Sequence, residues 1–288
     1  MRPRLLLVLL SLALAATTVA PAAAAPSPEE DAAVTAKPEC DDPVTVADGT
    51  PVLFESLGEL LPTRTAALPL GLGACTGVRP GATVLNDVGL CSFNYLFHGS
   101  DGQRYMGTAG HCVLGAVPGE QTWAPGSGPV ARDATGNRVG EFAYAVLGGV
   151  RDFALVRLDD GVPASPQMCH FGGPTGINED LSPGPVILQH YGQALVFGQL
   201  LPARTSIAPT TSDPNQVFAN GLALFGDSGG AVNSADGRAM GVLVTVGLHL
   251  GGVTNVGTIG VTRIAPQVAQ AKGALGLSAL EMQLAPQL

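Results

Sequence analysis

From residue 78 onward, short apolar runs alternate with turn residues, and this pattern limits the possible folds more than any other feature. Gly, Asn-Asp and Ser-Asp-Gly separate the runs, as is typical of β-strands joined by tight turns. The 39 glycines and 23 prolines, together with only 5% aromatic residues, fit the same pattern. The sequence therefore predicts an all-β protein. The runs interpreted as strands are residues 90–97, 104–106, 139–146, 153–158, 186–200, 216–219 and 239–246.

One segment near the end of the chain is predicted to be helical. Within residues 264–273, Ile264, Val268 and Ala271 fall on one face of a helix. The regularly spaced strands before this segment fit a pair of β-barrels. Hydrophobic residues make up 46% of the chain and charged residues 13%, which excludes a disordered protein. The net charge of −9 and the scattered basic residues argue against a nucleic-acid or anionic-membrane partner.

Residues 1–25 contain the three parts of a secretory signal peptide. Arg2 and Arg4 supply the positive end, an apolar run follows, and small residues allow cleavage after Ala20 or within residues 23–25. A transmembrane anchor is the alternative, but the apolar run is too short and its second half consists of Ala and Thr. We therefore expect a secreted, extracellular protein with no membrane association after signal removal.

The remainder of the chain divides into three regions. Residues 26–73 begin with an acidic, Pro-rich stretch and are interpreted as an N-terminal extension or a short pro-segment. Residues 74–276 carry the strand pattern and the helix, and form the predicted folded domain. Residues 277–288 follow as an apolar tail.

Three short motifs contain the residue types that a nucleophilic serine requires. The motif Gly-Asp-Ser-Gly-Gly places Ser228 in a turn where flanking glycines leave its surroundings open. A hydroxyl needs a base, and its reaction needs donors for the oxyanion that forms. The motif Thr-Ala-Gly-His-Cys offers His111 as the base, and Asp152, which begins Asp-Phe-Ala-Leu, offers a carboxylate to orient it. Asp133 and Asp159 are alternatives to Asp152, but neither leads directly into an apolar strand.

These motifs resemble those of the trypsin/chymotrypsin-like serine proteases, in particular the secreted bacterial type. Intervals of 41 and 76 residues separate His111, Asp152 and Ser228. Their order is the one found in chymotrypsin, and it differs from the orders in subtilisin and in α/β-hydrolases. The resemblance implies two six-stranded antiparallel β-barrels of the chymotrypsin type with a C-terminal helix. Residues 74–276 would form this protease domain.

The resemblance also implies a role for each residue of the motifs. Ser228 would attack a peptide carbonyl and form an acyl-enzyme, while His111 acts as general base and Asp152 holds the imidazole. The backbone N–H groups of Gly226 and Ser228 would form the oxyanion hole. The implied function is that of a secreted serine endopeptidase that acts on protein or peptide substrates. We expect it to be a monomer without a cofactor or a metal ion.

The residues that precede the nucleophile are expected to set the substrate preference. Leu222 lies six residues before Ser228, where trypsin-type members of the family have an acidic residue. An apolar residue cannot compensate the charge of a buried lysine or arginine, so we expect an apolar P1 residue. Val244, Thr245 and Val246 are expected to form another wall of the pocket. Val246 replaces a glycine found in many relatives and would narrow the pocket toward small side chains.

Asp227 corresponds to an aspartate that, in the family, is buried against a cation and fixes the oxyanion loop. Animal members supply that cation as a newly released N-terminal amine, but this chain has no Arg-Ile-Val-Gly-Gly-like activation site. Bacterial relatives use an internal arginine before a Ser-Gly turn, and His190 occupies the best-matching position here. We therefore expect His190 to pair with Asp227, and Arg204 is the next candidate.

All five cysteines follow the predicted signal peptide, and in an exported chain they indicate disulfides. The resemblance implies a Cys91–Cys112 bridge that closes the histidine loop. Among the remaining three we favour Cys75–Cys169, with Cys40 free or lost on processing. We do not expect a zinc site, because the candidate base has no second His or Cys near it at ligand spacing.

Two other functions are compatible with parts of the sequence. A catalytically silent protein could keep the protease fold for binding or adhesion, but the chain retains all three triad residues and both glycines beside Ser228. An HtrA-like protease-chaperone would require a peptide-binding domain after the barrels, and we expect none in residues 277–288. The endopeptidase therefore remains the favoured function.

Overall fold

A computed structural model describes residues 75, 77–192, 202–250 and 253–288, apart from the side chains of residues 246–250 and 253–256. The predicted signal peptide, the predicted extension and Cys40 lie outside the described residues.

The described residues form fifteen strands and two helices. In chain order these are β1 (Thr83–Leu85), β2 (Leu90–Ser92), β3 (Leu96–Gly99), β4 (Arg104–Thr108), α1 (His111–Leu114), β5 (Gly119–Thr122), β6 (Val130–Arg132), β7 (Arg138–Gly148), β8 (Arg151–Leu158), β9 (Val186–Tyr191), β10 (Ala203–Ala208), β11 (Gln216–Asn220), β12 (Ala231–Ser234), β13 (Ala239–Leu250), β14 (Val253–Arg263), α2 (Ile264–Ala274) and β15 (Leu280–Met282).

The first sheet contains nine strands. Those other than β5 and β15 form a ring of six when β2 and β3 are counted as one interrupted strand. β2 pairs with β1, and β3 pairs with β4. From β4 the ladder continues through β8, β7 and β6 and returns to β1, with every pair antiparallel. Between β2 and β3, the N–H of Phe93 donates to the carbonyl of Ala82 at 2.8 Å, and the N–H of Asn94 donates to the carbonyl of Gly107 at 2.8 Å. The chain therefore changes its partner from β1 to β4 at this point.

The second sheet is a closed barrel of six antiparallel strands in the order β10-β11-β14-β13-β12-β9. Aliphatic side chains that point inward fill it, as the alternation along the strands requires. They include Leu188, Val217, Val232, Leu243, Ile259 and Val261. The all-β class with two barrel-like sheets is thus confirmed, and the second of these sheets is a closed six-stranded barrel. Only the start of the strand predicted over residues 186–200 can be compared, because residues 193–201 lie outside the described part.

The C-terminal helix is confirmed as α2, which buries Ile264, Gln267 and Ala271. The following residues extend the fold further than an apolar tail would. β15 pairs with β3, and the N–H of Leu288 donates to the carbonyl of Phe171 at 3.1 Å. None of the helices in the described ranges has the length and apolar character needed to cross a membrane.

Contacts between the two sheets bring the predicted motifs together. The hydroxyl of Tyr95, from the interruption in the first ring, donates to the carbonyl of Val232 in the second barrel at 2.7 Å. Tyr95 is fully buried, and a buried hydroxyl needs such a partner. The interrupted strand therefore lies against the segment that follows Ser228.

Candidate active site

His111 and Asp152 are held together by two hydrogen bonds. Nδ1 of His111 lies 2.7 Å from Oδ2 of Asp152, and the backbone N–H of His111 donates to Oδ1 at 2.9 Å. The Asp152 side chain is 12% exposed and the His111 side chain 28% exposed. Oδ2 fixes the imidazole through Nδ1 and Oδ1 holds the backbone of His111, which leaves Nε2 available on the far side of the ring.

The ladder between β4 and β8 explains why these two residues meet. β4 leads into the histidine motif and pairs with β8, in which Asp152 is the second residue. Gly110 allows the chain to turn closely here, since a Cβ at this position would lie 1.9 Å from the carbonyl oxygen of Val146. Close packing against Val146 therefore requires the glycine of the Thr-Ala-Gly-His-Cys motif.

Ser228 lies in a tight loop that packs against the histidine motif. Its carbonyl accepts from the N–H of Ser92 at 2.8 Å and lies 3.9 Å from Sγ of Cys112, the residue after His111. Gly229 has a φ of +88°, and a Cβ there would lie 2.3 Å from Oγ1 of Thr108. Among the described residues, Ser228 Oγ makes no hydrogen bond to the imidazole, and such bonds often tighten only when substrate binds.

The loop around Ser228 has two backbone donors that remain available. The N–H groups of Asp227, Gly229 and Gly230 all donate to carbonyls, at 2.7–3.0 Å. Within the described ranges, the N–H groups of Gly226 and Ser228 donate to no protein acceptor. A pair of such donors beside a nucleophile is the arrangement that an oxyanion requires.

The carbonyls of the same loop are held from the first barrel by two residues that the sequence analysis missed. Oγ of Ser92 donates to the carbonyl of Gly226 at 2.8 Å, and Nδ2 of Asn94 donates to that of Gly229 at 3.0 Å. Both side chains are buried. No motif marks either position in the sequence.

Asp227 is buried, as the resemblance implied, but its cation is Arg204. Nη1 of Arg204 donates to Oδ2 of Asp227, and the N–H of Leu224 donates to the same oxygen at 2.8 Å. The prediction of His190 as the cation is wrong. Burial lowers the pKa of His190 to about 4, and this effect exceeds the raising effect of Asp227. At neutral pH the imidazole is therefore uncharged, whereas an arginine remains protonated.

The predicted pocket residues lie on two segments next to the loop. Leu222 is 42% exposed. It lies two residues before Leu224, whose backbone N–H donates to the carboxylate of Asp227. On β13, Leu243 exchanges hydrogen bonds with Gly229 and Gly230. The next two residues, Val244 and Thr245, are half-buried and exposed, respectively. The side chain of Val246 lies outside the described part. Phe225, which the sequence analysis did not single out, is 80% exposed beside Gly226.

The structure contains both predicted disulfides. Cys91 in β2 is bonded to Cys112 in α1, and Cys75 is bonded to Cys169. Ligand atoms of Cys91, Cys112 and His111 lie within 4.8 Å of one another. Because the two sulfurs are bonded to each other, neither is available as the thiolate that a metal ion binds. The bridge instead ties the helix of His111 to the strand that supports the Ser228 loop.

Two antiparallel barrel-like sheets meet where His111, Asp152 and Ser228 lie. This is the architecture that the resemblance of the three motifs implied. No protein-family model and no curated protein matches the chain. Solved structures of bacterial chymotrypsin-like serine proteases resemble it. Nocardiopsis protease is 16% identical, with 72% of this chain and 98% of that protease covered and a TM-score of 0.48.

Two further solved structures have a similar relationship to this chain. Cellulomonas bogoriensis chymotrypsin is 19% identical over 72% of this chain and 98% of its own, with a TM-score of 0.46. A glutamic-acid-specific serine protease that uses a histidine triad in substrate binding is 17% identical over 72% and 100%, with a TM-score of 0.48.

Proposed function

We propose that this chain is a secreted serine endopeptidase, with His111, Asp152 and Ser228 as its catalytic triad. The observation that carries the proposal is the orientation of the imidazole. Both oxygens of Asp152 accept from His111. Beside them, within the described residues, the backbone N–H groups of Gly226 and Ser228 have no protein acceptor. A buried carboxylate that holds an imidazole next to a serine has a direct chemical use in acyl transfer.

In the proposed reaction, Nε2 of His111 takes the proton of Ser228 Oγ as the oxygen bonds to the scissile carbonyl carbon. The N–H groups of Gly226 and Ser228 bind the resulting oxyanion. His111 then gives the proton to the leaving amine as the C–N bond breaks. Water, deprotonated by His111, attacks the acyl-enzyme and releases the acid, which restores Ser228.

The proposed substrates are proteins or peptides with an apolar P1 residue. Leu222, Val244 and Thr245 supply no charge that could compensate a buried lysine or arginine. The exposed ring of Phe225 adds apolar surface beside the oxyanion donors. Cleavage of a peptide library by the mature, disulfide-bonded protein tests this preference. Efficient cleavage after Lys or Arg would contradict it.

Labelling with a fluorophosphonate probe tests the nucleophile. We expect a single adduct at Ser228, which Ser228→Ala abolishes. Ser127→Ala serves as the control, because Ser127 is an exposed turn serine whose Oγ donates to the carbonyl of Ala124. Labelling should be unchanged in that variant. A folded wild-type protein that neither labels nor hydrolyses any peptide would instead favour the silent binding protein.

A further inference from the structure

The side chain of Asn94 is fixed on all sides between β2 and β3. Asn94 is fully buried, and its Oδ1 accepts from the N–H of Tyr95 at 2.7 Å. A Cβ on Gly107 would lie 1.8 Å from that oxygen, so the glycine makes room for the amide. Because Oδ1 is the acceptor, Nδ2 is the atom that faces the carbonyl of Gly229, at 3.0 Å.

Two peptide groups connect this amide to the N–H of Ser228. The peptide between Gly229 and Gly230 accepts from Asn94 through its C=O and donates through its N–H to the carbonyl of Asp227 at 3.0 Å. In a trans peptide, the C=O and the N–H point in opposite directions. The carbonyl of Asp227, held toward Gly230, therefore turns the N–H of Ser228 to the other side of the loop.

We propose that Asn94 is a positioning residue for the oxyanion hole and that it aims the N–H of Ser228 through this pair of peptides. The inference rests on the proposed function, in which that N–H binds the oxyanion. Asn94 acts on the main chain of the loop, whereas Arg204 holds the Asp227 side chain. The two supports approach the loop from different barrels.

An oxyanion donor acts mainly in the transition state, so its misplacement lowers kcat more than it changes KM. Asn94→Ala leaves the carbonyl of Gly229 without its donor. We expect kcat to fall about tenfold to hundredfold, the cost of a displacement of about 1 Å in a catalytic group. KM should stay within about twofold. Inhibition by a peptide aldehyde, whose serine adduct is tetrahedral, should weaken by the same factor as kcat.

Asn178→Ala is a matched control. Asn178 is also buried, its Nδ2 donates to Oγ of Ser234 at 2.9 Å, and its Oδ1 accepts from the N–H of Asp180 at 3.0 Å. Like Asn94, it uses both side-chain atoms in hydrogen bonds, but these lie away from the Ser228 loop. Asn178→Ala should therefore lower stability without lowering kcat or aldehyde binding. If Asn94→Ala does not fold, Asn94→Ser is used, since its hydroxyl is too short to reach Gly229.

The outcomes separate this inference from the proposed function. Wild-type protein that does not label at Ser228 and does not hydrolyse peptides refutes the proposed function, and the inference falls with it. Active wild-type protein combined with an unchanged kcat in a folded Asn94 variant refutes the inference alone. Equal losses of kcat in the Asn94 and Asn178 variants also refute it, because the effect would then be general destabilisation.

Discussion

Arg204 reaches the carboxylate of Asp227 from the strand position directly opposite His190. The two residues are partners in the β9–β10 ladder, and the Arg204 guanidinium also donates to the carbonyl of Gly192 at 3.3 Å. A Cβ on Gly192 would lie 2.1 Å from Oδ1 of Asp227, so this glycine makes room for the carboxylate. The cation thus comes from the neighbouring strand and connects the end of β9 to the loop of the nucleophile.

Loss of this cation should destabilise the protein strongly. Arg204→Met leaves the buried Asp227 carboxylate without its charged partner, and we expect the free energy of unfolding to fall by about 3–5 kcal/mol. Denaturant unfolding measures the change. The control is Arg138→Met, which breaks the exposed pair with Asp159 and should cost less than about 1 kcal/mol. Comparable losses in the two variants would show that the buried pair has no special role.

His190 should make the protein sensitive to acid. Burial lowers its pKa in the folded state from 6.5 to about 4, while the unfolded chain keeps the ordinary value. Between these values the unfolded chain binds more protons, so the free energy of unfolding falls as the pH is lowered. The full difference is about 3 kcal/mol, reached below pH 4. Near His190, Asp227 opposes the shift and Arg204 reinforces it.

Unfolding measured from pH 7 to pH 4 tests this expectation. His190→Asn carries no titrating group and should flatten the part of the pH dependence that His190 causes. His98→Asn is the control, because His98 is exposed in β3. An unchanged slope in His190→Asn would assign the acid sensitivity to other groups.

The catalytic candidates could be predicted because each lies in a short sequence motif. The residues that hold the Ser228 loop could not, because they are far from that loop in the sequence. The triad candidates stand in short motifs whose glycines are required by close contacts. The loop supports are remote: Ser92 is 134 residues from Gly226, and Asn94 is 135 residues from Gly229. Such contacts depend on how the two barrels meet, and hydrophobic periodicity does not report that arrangement.

Charge alone was a poor guide to the partner of Asp227. The sequence position favoured His190, but an imidazole buried this deeply loses its proton, while a guanidinium keeps its charge.

Short strands were missed by the sequence analysis for a different reason. β1 and β6, which lie outside every predicted run, have only three residues each, and this is too short for alternation to be recognised. The long apolar runs that became β7, β8 and β13 were recognised because both their length and their composition favour strands.

Removal of the Cys91–Cys112 bridge should lower stability by an amount that grows with the logarithm of the length of the loop that it closes. For a sequence separation of 21, the chain-entropy model gives about 3 kcal/mol for Cys91→Ala combined with Cys112→Ala. The separation of 94 for Cys75–Cys169 gives about 4–5 kcal/mol. Denaturant unfolding of the two double variants compares them. Losses near zero for both would mean that the bridges do not constrain the unfolded chain.

Asp152→Asn should separate orientation of the imidazole from its presence. An amide has one acceptor, whereas Asp152 accepts from both the backbone N–H and Nδ1 of His111. Because a backbone N–H can only donate, the amide oxygen would accept from it and the NH₂ group would face Nδ1. This favours the imidazole tautomer that has its proton on Nε2. That tautomer cannot accept the proton of Ser228, so we expect kcat to fall about 10⁴-fold with a smaller change in KM. Asp159→Asn is the matched control, because Asp159 pairs with Arg138 at the surface and should leave kcat unchanged. Single-turnover acylation by a peptide ester measures the step directly, and wild-type acylation in Asp152→Asn would exclude Asp152 as the orienting carboxylate.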